Sequence, residues 1–166
     1  MGLFDNLLKR DASAKKEGSQ IIAAIADGEL IDVRTVNDPV FSQEMLGKST
    51  GFRFDGDKTV LCSPVTGTLN VLFPTGHAYG VTTDDGLEIL VHCGINTVNA
   101  KGNGFRILNR KQGDHILAGD PVVEIDLDLL RQMYDMTTIL IITNTGKRTI
   151  EFIRPQSVTK GQSIIQ

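Results

Sequence analysis

From Ile21 onward the apolar residues come in short or alternating runs, and Gly, Asp, Asn or Pro bounds each of them. Gly28-Glu-Leu-Ile-Asp-Val, Thr59-Val-Leu-Cys, Gly67-Thr-Leu-Asn-Val-Leu-Phe, Ala78-Tyr-Gly-Val-Thr-Thr, Leu87-Glu-Ile-Leu-Val-His, Pro121-Val-Val-Glu-Ile and Thr138-Ile-Leu-Ile-Ile-Thr read as strands. Strands at this spacing predict an all-β chain, an antiparallel β-sandwich or distorted barrel (a barrel-sandwich hybrid) with short helical crossovers. The 17 glycines fit that expectation, because tight turns need residues that tolerate positive φ. One helical crossover is expected at 126–136, where Asp126 or Asp128 can cap and Leu127, Leu129, Leu130 and Met133 form an apolar stripe suited to a core.

A length of 166 residues suits a single domain, and 40% apolar against 22% charged residues is an ordinary globular balance. Aromatic residues at 5%, a net charge of -3 and the lack of a long Lys/Arg block argue against nucleic acid as a partner. No apolar run reaches the roughly 18–20 residues that span a bilayer, and no secretory leader is legible, so a cytoplasmic location is expected. Cys62 and Cys93 match no metal or redox spacing and are read as reduced thiols. Residues 1–20 stand apart as a flexible N-terminal segment. Leu3, Phe4, Leu7 and Leu8 fall at helical spacing before a polar stretch, a short amphipathic turn capable at most of peripheral membrane contact. Residues 21–166 are expected to form one domain.

The chemistry concentrates in Phe73-Pro-Thr-Gly-His77 through His92-Cys-Gly-Ile, which holds two of the three histidines. Asp85-Gly86 between β-rich runs signals a two-residue hairpin loop. That loop would pair Tyr79 with His92, Val81 with Leu90 and Thr83 with Glu88 on one exposed face, leaving Leu87, Ile89 and Val91 for the core. In that register His77 and His92 are diagonal neighbours on the same face, and a loop one residue longer would separate them. A neutral imidazole offers a nucleophilic nitrogen at physiological pH, and a second ring can hydrogen-bond a phosphoryl oxygen held on the first. Thr75, two residues before His77, is placed to orient that ring. His115 falls in a predicted turn and receives no role.

Thr75-Gly-His77-Ala78, Leu90-Val-His92-Cys-Gly94-Ile95-Asn96-Thr97-Val98 and Gly102-Asn-Gly104-Phe105 resemble the motifs of the glucose-type IIA components of the bacterial sugar phosphotransferase system. Asp38-Pro-Val-Phe41, Ser63-Pro-Val-Thr-Gly67 and the stretch 113–126 extend the likeness along nearly the whole chain. The resemblance implies that His92 accepts phosphate from the phosphocarrier HPr, and that His77, held by Thr75, assists its passage to a cysteine of a sugar-specific IIB domain. It further implies binding of regulatory targets according to phosphorylation state and a partner-docking face with Val40, Phe41, Phe73, Tyr79, Leu90, Asn96 and Val98; the register adds Val81, Asp38 offers a charge for a basic partner, and a relay that must release each partner quickly is expected to be a monomer. Asn96 stands where such proteins usually have Asp, which weakens the expected grip on a donor arginine. No cofactor is expected, and no resident metal, although His77 and His92 can bridge zinc with a partner carboxylate. The alternative is a non-catalytic regulatory binding protein on the same fold. A LytM-type zinc peptidase is disfavoured because its His-x-His pair is missing. A biotinyl or lipoyl carrier, suggested by the strand-turn-strand reading of Gly113-Asp-His-Ile-Leu-Ala-Gly-Asp-Pro, lacks its carrier lysine.

Overall fold

The computed structural model describes residues 21–166; the predicted amphipathic segment 1–20 lies outside the described residues. Eleven strands alternate with tight turns: β1 (Gly28–Ile31), β2 (Lys48–Arg53), β3 (Lys58–Cys62), β4 (Gly67–Leu72), β5 (Ala78–Thr82), β6 (Leu87–His92), β7 (Phe105–Ile107), β8 (His115–Ile116), β9 (Pro121–Asp126), β10 (Thr138–Thr145) and β11 (Ser157–Val158). Among the described residues two short α-helices interrupt them, α1 (Pro39–Ser42) and α2 (Leu127–Arg131). Both start on aspartate caps, with Asp38 accepting from the Val40 amide at 2.9 Å and Asp126 from the Leu129 amide at 3.0 Å. The crossover expected after Asp126 is therefore present, although its helix ends at Arg131.

An eight-stranded sheet of order β11-β1-β2-β10-β6-β5-β4-β8 faces a three-stranded sheet of order β3-β9-β7. All the strand pairings are antiparallel, and the large sheet stays open at both edges. The fold is thus the expected β-sandwich, without closure into a barrel. Its main core lies between the sheets, where Phe52, Leu69, Tyr79, Leu87, Ile89, Val91 and Leu140 meet Leu61, Val123 and Ile125. A smaller cluster covers the other face of the large sheet. There Ile139 and Ile141 of β10 pack with Ile95, with Leu90 of β6, with Ile31 at the end of β1, and with Val33, Val36 and Phe41 from the connection between β1 and β2.

The β5–β6 register differs from the expected one. Ala78 opposes His92, Tyr79 opposes Val91 and Val81 opposes Ile89. The loop has three residues instead of two. Thr83 N–H donates to the Leu87 carbonyl at 2.9 Å, the Leu87 amide donates to the Thr83 hydroxyl at 3.0 Å, and only Gly86 takes positive φ, at 92°. A two-residue type I′ loop would need positive φ at Asp85 as well, and the Thr83 hydroxyl, also bonded to Asp85, stabilises the longer turn instead. The shift of one residue turns Tyr79 and Val81 into the main core, 0% and 1% exposed, so neither belongs to a docking face. His115, expected in a turn, pairs with Thr68 at the sheet edge.

Candidate functional site

His92 ends β6, and its ring stands on the face covered by the smaller cluster, directly across from Ile139 of β10. A regular ladder with Ala78 opposite His92 would send residue 77 to the other face. The chain leaves the ladder first. Gly76, at φ 76°, closes a turn in which its amide bonds the Phe73 carbonyl at 2.8 Å, while the Phe73 amide bonds the Ala78 carbonyl at 3.1 Å. A side chain at Gly76 would press on Phe105 besides adopting a strained φ. Released from the pleat, the His77 ring comes edge-on to His92, with centroids 5.6 Å apart and an interplanar angle of 79°. The two imidazoles meet as the sequence led one to expect, but by a turn and not by strand parity.

Each ring has one nitrogen spoken for. His92 Nδ1–H donates to the Gly94 carbonyl at 2.7 Å; a carbonyl only accepts, so Nδ1 carries the proton and Nε2 keeps its lone pair. His77 Nδ1 lies 2.6 Å from the Thr75 hydroxyl, the contact anticipated for Thr75. Phe41 tilts against His92 at 5.1 Å and Phe73 against His77 at 4.9 Å, so each imidazole is flanked by an aromatic ring. His77 is 4% exposed beneath this cover, whereas His92 is only partly buried. The sequence reading opened both rings to solvent; here it is His92 that reaches the surface.

Burial lowers the proton affinity of His92, opposed by the Gly94 hydrogen bond and by the negative charge of Asp38. His77 is likewise held below the ordinary 6.5, first by burial and then by the neighbouring ring. Both rings therefore favour the neutral form near neutrality. Among the described residues no third His, Cys, Asp or Glu joins the pair in a metal-holding group.

Around the rings Val40, Phe73 and Val98 are exposed, at 38%, 44% and 54%, while Phe41 and Leu90 lie largely beneath them. Asn96 is exposed at φ 59°, a left-handed conformation that Asn tolerates well. Asp38 caps α1 as well as acting on His92. Met45 and Leu46, which the sequence reading passed over, are also exposed, and the Met45 amide bonds the Val40 carbonyl at 3.1 Å, which keeps Met45 next to Val40. Their signal was available as two large apolar residues inside the polar run Ser-Gln-Glu-Met-Leu-Gly-Lys. A depression of about 250 Å³ lined by Val71, Gly80, Leu90 and Thr143 continues from Leu90. Another hollow, about 460 Å³ between Arg53, Asp55, Arg131 and Thr137, is lined by neither histidine. Among the described residues no helix is long and apolar enough to cross a membrane.

The fold and site define a β-sandwich protein with a paired-histidine site, in which a neutral, partly exposed imidazole stands beside a second, buried one among apolar residues. The chain belongs to the family described as phosphoenolpyruvate-dependent sugar phosphotransferase system, EIIA 1, whose sequence model matches residues 20–148. It is 38% identical over 153 residues to a PTS system glucose-specific EIIA component of Halalkalibacterium halodurans, covering 89% of this chain and 87% of the relative. Identity is 34% over 163 residues to the component of the same name in Staphylococcus aureus, covering 97% and 95%. A PTS system glucose-specific EIICBA component of Staphylococcus carnosus is 35% identical over 95% of this chain, which spans only 23% of that longer protein. Among solved structures, the glucose permease IIA of Mycoplasma capricolum superposes with a TM-score of 0.78 at 35% identity, covering 87% of this chain and 93% of that one.

Proposed function

We propose that this chain is a phosphoryl relay in sugar uptake, in which His92 Nε2 accepts phosphate from phospho-HPr and yields it to a cysteine of a sugar-specific IIB domain. The observation that carries the reading is the bond from His92 Nδ1–H to the Gly94 carbonyl, which leaves an unprotonated Nε2 on the partly exposed His92 ring, beside His77. Attack by that lone pair forms the N–P bond as the donor's bond to phosphorus breaks, while the proton stays on Nδ1, hydrogen-bonded to the Gly94 carbonyl. When the Thr75 hydroxyl donates to His77 Nδ1, the proton of His77 sits on Nε2, from where it can be offered to a phosphoryl oxygen. The second transfer reverses the sequence toward a thiolate.

Val40, Phe73, Val98 and Met45 form an apolar rim that suits partners which must dock and leave. The relatives named EIICBA, which this chain matches over one part of their length, support a IIB domain as acceptor, and the glucose-specific names make glucose the first sugar to try. Incubation with phosphoenolpyruvate, enzyme I and HPr should give one acid-labile phosphate that is absent in His92→Gln. His77→Gln should still take up label and fail to discharge it onto IIB. Label persisting in His92→Gln would end the reading.

A further inference from the structure

The turn after His92 is built from two positive-φ residues, Gly94 at 80° and Asn96 at 59°. Gly94 is required by space as well as by angle, since a Cβ there would come 2.6 Å from Thr97 Cγ2 and 2.8 Å from Met136 Sδ. Glycine also brings a liability. Without a side chain, Gly94 can take other φ and ψ values, and these would carry its carbonyl, which belongs to the Gly94–Ile95 peptide, away from His92. The backbone on both sides of Gly94 must therefore be held.

Thr97 is placed to do so. It is 0% exposed, and its hydroxyl donates to the Cys93 carbonyl at 2.6 Å. The same peptide segment is gripped at its other end, where the Cys93 amide donates to the His77 carbonyl at 2.7 Å, and beyond it the Ile95 amide donates to the Asp135 carbonyl at 2.8 Å. Between these anchors lies the Gly94 carbonyl that receives His92 Nδ1–H. A hydroxyl that is fully buried and committed to the carbonyl of the residue after His92 has an orienting consequence that the neighbouring apolar contacts cannot supply.

We infer that Thr97 is a positioning residue for His92: by fixing the Cys93 carbonyl it keeps the Gly94 carbonyl on Nδ1, and so selects the ring tautomer whose Nε2 is free to react. The step from tautomer to phosphate transfer rests on the relay reading; the tautomer itself does not. Thr97→Val keeps the shape and removes the hydroxyl, whereas Thr97→Ser keeps the hydroxyl and removes the methyl that faces Gly94.

With imidazole-¹⁵N-labelled protein, long-range ¹H–¹⁵N spectra report which ring nitrogen is protonated. The wild type should show His92 protonated at Nδ1, Thr97→Ser should match it, and Thr97→Val should show a tautomer mixture. The rate of phosphate uptake from phospho-HPr should fall about three- to tenfold in Thr97→Val and recover in Thr97→Ser. A folded valine variant with the wild-type tautomer overturns the inference. Should valine prevent folding, the serine variant decides: folded serine protein with a mixed tautomer overturns the inference, and one with the wild-type tautomer supports it. If the wild type shows the Nδ1–H tautomer but takes no phosphate, the relay reading fails while the role of Thr97 in setting the ring stands.

Discussion

Burial lowers the proton affinity of both the His77 and the His92 ring, and in His77 the neighbouring imidazole adds to the effect. The folded chain consequently binds fewer protons at these positions than the unfolded chain does in the pH range just below the ordinary 6.5. The sign follows: the stability contributed by the neutral rings is complete above that value and declines as the pH falls through the folded-state pKa values. Denaturation midpoints measured from pH 7.5 down to 5 should drop, and the drop should be shallower in a His77→Gln/His92→Gln double variant. Under the proposed relay, a matching loss of phosphate uptake is expected over the same interval, because protonation consumes the lone pair on His92 Nε2. Proton titrations of the two imidazoles with midpoints at or above 6.5 would remove the basis for both expectations.

At the scale of the hairpin, one hydroxyl and one glycine choose between two registers. Gly86 adopts φ 92° with its nearest outside atom, Gly146 Cα, 4.0 Å from where a Cβ would lie, so Gly86→Ala meets conformational strain without a clash. A loss of about 1 kcal/mol is expected. Thr83→Val removes the acceptor for the Leu87 amide and the bond to Asp85, and should cost about 1–2 kcal/mol, both read from denaturant unfolding. The strands themselves were legible because their apolar runs and flanking turn residues agree. β7 and β11 carry too few residues for any period to show, and β2, Lys-Ser-Thr-Gly-Phe-Arg, hides its inward residues among polar ones. The pairing of His77 with His92 was legible for an insufficient reason: Asp-Gly suggested a short loop, the Thr83 side chain lengthened it, and the turn closed by Gly76 then returned His77 to the outer face. Tyr79 and Val81 were misplaced by that same single-residue slip. The Gly94 carbonyl could not have been named in advance, since a backbone acceptor leaves no mark in a string of side chains.

Over the whole molecule the two apolar clusters differ in what they secure. The main core joins both sheets and draws on nearly every strand, whereas the cluster on the outer face depends on the connection between β1 and β2 to cover Ile139, Ile141 and Leu90. That connection contains only the 3-10 turn Val33–Thr35 and the single turn of α1, so few hydrogen bonds resist its lifting. Local openings take place where the fewest contacts must break. Native-state hydrogen exchange should therefore show the Val36 and Ser42 amides exchanging through an opening of lower free energy than the amides of β6 and β10. Because Phe41 of this segment lies 5.1 Å from His92, the opening strips cover from the His92 ring. Val36→Ala should weaken the segment by about 2 kcal/mol, a large-to-small change at a 7% exposed site. Where that weakening populates the lifted form, less of the ring is buried, and the His92 pKa should move up toward 6.5. Exchange of the Val36 region only at the global unfolding free energy would show instead that the two clusters open together, and the affinity of His92 for protons would then be unchanged in Val36→Ala below the unfolding transition.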